Sequence, residues 1–457
     1  MWTALQRGFA ILLLAVVAVG CRAQLTTVPE TASPNNVIFV LVDTLRADHM
    51  SAHGYHRDTT PFLDLLAQSA VVFEHARSQA GCTFPSVNSI MTSRYPFDFV
   101  QQGTGEMGIP EAYPTLAEIL GARGYRTVAV SASPIVRATP SKENPSAGFD
   151  RGFDVFDETC LWGSAACVNK RALNLLDRIE EPFFLYLHYM DPHGHYKTPR
   201  SYEHRFAGAY DGYDFIAAGD ANPIADMLFN DGPVFDITDR DIQHLVDLYD
   251  DEIRYFDEQF ETLVTRLRDD GLFDQSIIVF TSDHGEEFLE HGQVGHCRGV
   301  WETLTRVPLF IKVPGMNGGR RVDDAVQLVD ILPTLLALLG IENTGSGLEG
   351  VSLRSLFEGD EPLREYAYAD QGKYRSVDDG RWHLILDGAE STATLFDLRT
   401  DPLEQRDLYS SNHNELNRLS EELNLWLDVT GQSLSFDEAV AANMAKVEEL
   451  RALGYLR

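Results

Sequence analysis

Three places in the 457-residue chain carry side chains whose types and spacing suit chemistry on an anionic ester. The first is residues 79–96, QAGCTFPSVNSIMTSRYP, where Cys82 and Thr83 stand side by side before Phe84-Pro85-Ser86. A helix is expected over residues 87–92. A residue just ahead of a helix faces unpaired backbone N–H groups and the positive end of the dipole, where an ester oxygen would be held. Ordinary capping is the competing use of a Thr-x-Pro-Ser segment. From these residues alone, the choice of nucleophile between Cys82, Thr83 and neither stays open. The second place is Asp43, and the third is Asp283-His284, followed by Gly285-Glu286-Glu287 with His291 and His296 close behind. Two Asp and one His make a divalent-metal set in which oxygen ligands dominate. A lone Asp after a strand is more often a cap or turn former. No His-Glu-x-x-His is present, which excludes the zincin arrangement.

These residues need elements to bring them together. Residues 37–42 (VIFVLV) form a continuous β-branched apolar run, the mark of a strand buried on both faces, and Asp43 closes it. Residues 276–281 (SIIVFT) repeat the pattern and lead to Asp283. Further strands are expected over 127–131, 183–189 and 307–313, with helices over 61–70, 115–122, 169–180, 241–270 and 329–339. Helices and apolar strands alternate from 36 to about 342, which predicts an α/β fold with an open, doubly wound, mostly parallel sheet. In such sheets ligands sit outside the carboxyl ends of the strands, so Asp43 and Asp283 are expected at one sheet edge. After residue 345 short segments (365–370, 381–386, 393–398) read as small antiparallel strands followed by a helix, a C-terminal α+β subdomain spanning 345–457. Residues 202–241, rich in Gly, Asp and aromatics, read as an inserted surface region of the 36–344 catalytic domain.

Composition limits the partners. The formal charge is −32, from 69 acidic and 37 basic residues, which excludes nucleic acid as a partner. An anionic substrate would therefore need a locally positive site. At the N-terminus, Arg7 precedes the apolar run 9–19 (FAILLLAVVAV), too short for a comfortable membrane span. Ala18-Val19-Gly20 then leads into Cys21 and resembles the lipobox of bacterial lipoproteins. The expectation is a signal peptide over 1–20, lipid on Cys21, a tether over 21–35, and an exported protein anchored to the cell envelope; a plain secretory peptide is the alternative. Export makes disulfides admissible. Cys160 and Cys167 are near enough to close a small loop, leaving Cys82 and Cys297 to pair with each other or stay as buried thiols. None has Cys-x-x-Cys spacing, so no structural zinc site is expected.

The blocks 37–50 (VIFVLVDTLRADHM), 54–80, 185–196 (LYLHYMDPHGHY), 248–260 (LYDDEIRYFDEQF), 277–292 (IIVFTSDHGEEFLEHG), 306–315, 328–341 and 395–408 (LFDLRTDPLEQRDL) resemble, in order, those of the sulfatase family of the alkaline-phosphatase superfamily. The resemblance implies an alkaline-phosphatase-like fold and hydrolysis of sulfate esters. It implies one divalent metal ion, Ca²⁺ first with Mg²⁺ or Mn²⁺ as alternatives, held by Asp43, Asp283, His284 and Thr83. It further implies that His193 contacts the ester or protonates the leaving group, and that His296 and Arg298 stand near the family's catalytic Lys. Lys197 is a further cation, read as a surface lysine. Most members carry Cys-x-Pro-x-Arg or Ser-x-Pro-x-Arg, whose first side chain is oxidised to formylglycine. Here Pro85 puts Thr83 in that register, Val87 replaces the Arg, and Thr44 replaces a frequent second Asp. A Thr nucleophile has no second hydroxyl for elimination, so its covalent ester must be cleared by water. That keeps phosphoester or phosphonate hydrolysis and phosphoryl transfer open as alternatives, with a non-catalytic binding lipoprotein behind them. Glycan or small-molecule esters are the expected substrates.

Overall fold

The computed structural model describes residues 36–98 and 109–430, apart from 142, 146, 195, 200, 201, 203, 213–236, 317, 343–346, 360–363 and 391. The expected signal peptide, the tether, most of the insertion and the chain end beyond 430 lie outside the described residues.

Strand β1 (Asn36–Val42) shows why the apolar runs form a central sheet. Val37, Phe39 and Leu41 face one apolar layer, Ile38, Val40 and Val42 face another, and all six are fully buried. Side chains alternate along a strand, so a strand covered on both faces must be apolar at every position. One layer packs helices Pro61–Ala67, Ala165–Leu176 and Asp239–Asp269; the other packs Thr83–Thr92, Leu116–Gly121 and Ile331–Leu338.

The sheet also contains β2 (Val71–Arg77), β3 (Arg126–Ser131), β4 (Val155–Asp157), β5 (Phe183–Tyr189) and β6 (Ser276–Ser282). After the short β7 (Glu287–Phe288) and β8 (Val294–Gly295), which pair with each other, β9 (Arg306–Lys312) and β10 (Arg320–Gln327) complete it. The strand order is β10-β2-β9-β6-β1-β5-β3-β4. Only β9 runs against its neighbours; the remaining pairings are parallel. Beyond the sheet, β11 (Ala367–Gln371), β12 (Tyr374–Asp378), β13 (Trp382–Asp387) and β14 (Thr392–Asp397) form an antiparallel meander. Helix His413–Val429 covers one face, and Val300 and Trp301 pack on the other.

Two helices start about one turn earlier than their sequence patterns indicate. The helix expected from 87 begins at Thr83, with Pro85 inside its first turn. Pro is tolerated there because the first N–H groups of a helix have no intrahelical acceptor to lose. The helix expected over 169–180 spans Ala165–Leu176, and the Ala165 N–H donates to Asp191 Oδ2 at 2.7 Å. A side chain distant in sequence thus caps it.

Candidate active site

In the sheet register Val42 lies opposite Ser282, and Leu41 lies opposite His188. Asp43 and Asp283, separated by most of the chain, therefore emerge side by side. Asp283 Oδ1 accepts the backbone N–H groups of Thr44, at 3.2 Å, and of His284, at 2.9 Å. Thr44 has φ +58°, a left-handed conformation that is costly for a β-branched residue. It is fixed from both sides, because its carbonyl also accepts the Tyr249 hydroxyl at 2.7 Å.

What remains is a set of buried oxygens with no partner: Asp43 Oδ1, Asp283 Oδ2 and the Thr44 hydroxyl. His284 Nε2 points at the same place, 3.8 Å from Asp43 Oδ1, 3.5 Å from Asp283 Oδ2 and 3.1 Å from Thr83 Oγ1. Two carboxylate oxygens, an imidazole nitrogen and a hydroxyl thus converge, and buried carboxylates without donors call for a cation. The donor set fits a divalent metal. Burial pushes both carboxyls up; at Asp43 the hydrogen bond from His188 and the nearby imidazoles outweigh it and hold the pKa below the usual range. Asp283 goes well above that range, because the Asp43 charge adds to burial.

His188, which sequence reasoning missed, is fully buried and donates from Nε2 to Asp43 Oδ2 at 3.1 Å, with its Nδ1 engaging the Tyr186 hydroxyl at 2.9 Å. Asp43, His188 and Asp283 present ligand atoms within 4.8 Å of one another. Its hydrogen bond makes His188 the residue that orients Asp43.

Thr83 is the first residue of its helix, and Ser86, one turn on, donates to the Asp283 carbonyl at 2.7 Å. The helix that begins at Thr83 is thereby tied to the strand end that carries Asp283. His284 Nδ1 donates to the Gly285 carbonyl at 2.9 Å, which leaves Nε2 as the lone-pair side facing Thr83. Burial, with the His296 charge adding, lowers the His284 pKa to about 3. Cys82 is bonded to Cys297, so it offers no thiolate, and Cys160 is bonded to Cys167. The loops at 81 and 297 touch: the Cys297 N–H donates to the Gly81 carbonyl at 2.7 Å, and a Cβ on Gly81 would stand 2.7 Å from the Gly299 oxygen.

From Thr83 a row of rings leads outward. His284 and His296 centroids are 4.6 Å apart, His296 and His193 5.0 Å, and His193 and Trp162 5.5 Å. His296 Nδ1 pairs with Glu286 Oε1 at 2.9 Å, and Glu286 Oε2 accepts the Tyr196 hydroxyl at 3.2 Å. Burial opposes the imidazolium, but Glu286 outweighs it and raises the His296 pKa. His193 behaves otherwise: burial lowers its pKa, and its Nδ1 donates to the Gly194 carbonyl at 2.6 Å. Arg298, which the family pattern sets near the catalytic cation, donates to Gln293 Oε1 of its own loop at 2.8 Å. Glu286 was visible in sequence only as part of the acidic run after His284; its partnership with His296 depends on the β7–β8 turn.

The Sulfatase family profile matches residues 35–341, and the C-terminal profile of N-sulphoglucosamine sulphohydrolase matches residues 290–428. A sulfatase of Formosa agariphila is 25% identical over 449 residues, covering 86% of this chain and 87% of its own. An ulvan-active sulfatase of the same organism is 27% identical, covering 77% of this chain and 71% of its own. Among solved structures, one bound to its substrate D-glucosamine-2-N,6-O-disulfate superposes with a TM-score of 0.70 at 17% identity, covering 88% of this chain and 99% of that one. The phosphonate monoester hydrolase of Agrobacterium radiobacter gives 0.69 at 21% identity, covering 87% and 96%. The chain belongs to the sulfatase family of the alkaline-phosphatase superfamily, and by that membership it is an enzyme of the sulfuric ester hydrolase class.

Proposed function

We propose that the protein hydrolyses sulfate esters of glycans or small alcohols through a covalent ester on Thr83. The observation that carries this reading is the placement of Thr83 Oγ1 at 3.1 Å from His284 Nε2, the same nitrogen that lies 3.8 Å from the unpartnered Asp43 Oδ1 and 3.5 Å from the unpartnered Asp283 Oδ2. Asp43, Asp283, His284 and Thr83 would hold a divalent cation, Ca²⁺ first, which when bound supplies neutralising charge and acidifies a hydroxyl. Thr83 Oγ1 gives up its proton to solvent and attacks sulfur; the new O–S bond forms as the bond from sulfur to the leaving oxygen breaks. The N-terminal end of helix Thr83–Thr92 faces the negative charge carried by the ester oxygens.

The leaving alcohol takes its proton from His296. That ring is held as a donor, since Nδ1–H is committed to Glu286 and the imidazolium still carries Nε2–H. His193, whose hydrogen bond leaves Nε2 bare, then borders the leaving group without protonating it. Water next cleaves the Thr83 ester: its oxygen bonds to sulfur as the Thr83 O–S bond breaks, one of its protons restores the Thr83 hydroxyl and the other returns to His296. The same single hydroxyl favours a second reading, a phosphonate or phosphate ester hydrolase, since water clears a phosphorus ester more readily than a sulfate half-ester.

We also propose that the chain is exported and held to the cell envelope by lipid on Cys21. Its two disulfides support an oxidising compartment. Among the described residues, no helix is long and apolar enough to cross a membrane.

Mass spectrometry of the 79–94 peptide, after incubation with aryl sulfate or aryl phosphate, tests the mechanism against a Thr83→Ala control. Sulfation of Thr83 supports the first reading, and phosphorylation alone selects the second. Turnover that survives Thr83→Ala discards Thr83 as the nucleophile.

A further inference from the structure

Asp43 opens a turn after β1 whose backbone is held at every step. The Asp43 N–H donates to the Tyr189 carbonyl at 2.9 Å, and the Thr44 N–H to Asp283 Oδ1 at 3.2 Å. The Leu45 N–H donates to Ser282 Oγ at 2.9 Å, and the Arg46 N–H to Tyr249 Oη at 2.9 Å. We infer that Tyr249 is a positioning residue: its hydroxyl holds Thr44 in the left-handed conformation and thereby sets the affinity of the Asp43–Asp283 site for a cation. The inference rests on the proposed cation site and adds a residue that lies outside it.

Tyr189, Ser282 and Asp283 belong to the two strands beside β1 or directly follow one of them. Tyr249 comes from another layer, helix Asp239–Asp269, which packs against the sheet. Its ring is fully buried, with the rings of Phe288, His49 and Tyr196 at centroid distances of 5.0, 5.2 and 5.7 Å. A phenol hydroxyl has one proton to give and lone pairs to accept with. Here the proton goes to the Thr44 carbonyl at 2.7 Å, and the oxygen accepts the Arg46 N–H. One atom thus bridges the turn across Leu45. Thr44 and Arg46 are buried, so water has no access to replace the hydroxyl if it is lost.

The route from this hydroxyl to the cation site is short. Thr44 has φ +58°, and a β-branched residue gains free energy by leaving that region. Without the bond to its carbonyl, Thr44 relaxes and its N–H swings away from Asp283 Oδ1. Asp283 then keeps only one of the two donors that orient its carboxyl, the His284 N–H at 2.9 Å. Its unpartnered Oδ2 is no longer fixed beside the unpartnered Asp43 Oδ1. A cation must meet both oxygens at once, and ligands already in place bind it with less ordering to be done. The Tyr249 hydroxyl supplies that preorganisation from a helix that itself contributes no ligand to the site.

The test reads cation affinity with no substrate present. Full-length wild-type protein, Tyr249→Phe, Thr44→Gly and the double variant are freed of metal and titrated calorimetrically with Ca²⁺, Mg²⁺ and Mn²⁺ in turn. Each is also melted with and without the ion. Tyr249→Phe is expected to weaken binding by about ten-fold or more. Glycine takes a positive φ without strain, so on the Thr44→Gly background the same substitution should weaken binding by less than about three-fold. A merely structural Tyr249 would lower melting alike with and without the ion and leave the affinity unchanged, which overturns the inference. An equal loss of affinity on both backgrounds overturns it too. If Tyr249→Phe alone does not fold, the double variant decides: affinity close to that of Thr44→Gly supports the inference, and a double variant that is unfolded or binds about ten-fold more weakly sinks it. Wild-type protein that binds none of the three ions removes the cation site and this inference together. Wild-type binding that Tyr249→Phe leaves intact removes this inference alone.

Discussion

At the scale of single residues, the donor role proposed for His296 has a kinetic signature. Loss of the proton donor matters in proportion to the basicity of the leaving group. His296→Ala should slow hydrolysis of an alkyl sulfate by about 10²–10⁴-fold. It should affect 4-nitrophenyl sulfate far less, because nitrophenolate leaves without a proton. Steady-state kcat for the two substrates checks this, and an equal loss on both would return the donor role to another group. The metal-side residues make a second prediction. Chelation leaves Asp43 and Asp283 buried together without a cation, so the chelated protein should melt below protein in excess Ca²⁺; at 100 times Kd a bound ion adds about 2.7 kcal/mol. Asp283→Asn removes the repulsion with Asp43. It should raise the melting temperature of the chelated protein and abolish the calcium-dependent shift in scanning fluorimetry. The residues legible in sequence were those with a local context: Asp43 and Asp283 end apolar runs, and Thr83 sits in register with Pro85. His188 carried a signal that went unused, a polar side chain near the end of the otherwise apolar FFLYLHY strand. Glu286 carried none, since nothing in its spacing links it to His296 rather than to a solvated surface.

Among the elements, the helix bearing Thr83 depends on a neighbouring loop for its place. The Cys82–Cys297 bond spans 215 residues, a closure that the chain-entropy estimate values at up to about 5 kcal/mol. The Cys160–Cys167 bond spans 7, for which the same estimate gives about 2 kcal/mol. The double variant Cys82→Ser/Cys297→Ser should therefore lower both the melting temperature and kcat. Cys160→Ser/Cys167→Ser should lower melting less and leave kcat closer to that of the unmodified protein. Urea melts together with kinetics on one sulfated glycoside would separate the two outcomes. Elements with a clean period were readable: β1, β5 and β6 announce themselves as unbroken apolar runs. Strand β2 did not, because Glu74 and His75 interrupt VVFEHAR, and edge strand β10 reads RRVDDAVQ. Their strand character comes from pairing with each other and, for β2, with β9, not from local composition.

For the molecule as a whole, buried charge joins the two parts. Arg77, at the end of β2, pairs with Glu302 and, at 2.5 Å, with Asp378 of β12. Glu404 accepts the Glu302 N–H at 2.7 Å and meets His383 Nδ1 at 2.5 Å. Such a network carries little net stability, but losing one partner strands the others. Stability against pH has a separate source in Asp257, which receives the N–H groups of Phe62 and Leu63 at 2.9 Å each. Burial, opposed by those two bonds, raises its pKa from the ordinary 3.8 to about 7. The folded state thus holds this proton more tightly than the unfolded state does. Its contribution is complete below pH 3.8 and lost as pH climbs through about 7. Asp257→Asn should flatten that fall in melting temperature across the window; an unchanged slope would assign it to the general excess of negative charge.

The sheet order also dictates when the parts can meet. Central strand β1 leaves the ribosome first, yet its neighbours β5 and β6 begin at Phe183 and Ser276, and antiparallel β9 must slot in later still. Such distant pairing is slow to nucleate. A nascent chain shorter than β6 has an unpaired apolar strand and half a metal site, so synthesis cannot build the centre piecemeal. Catalytic competence therefore arrives late, after β6 and β9 have joined the sheet.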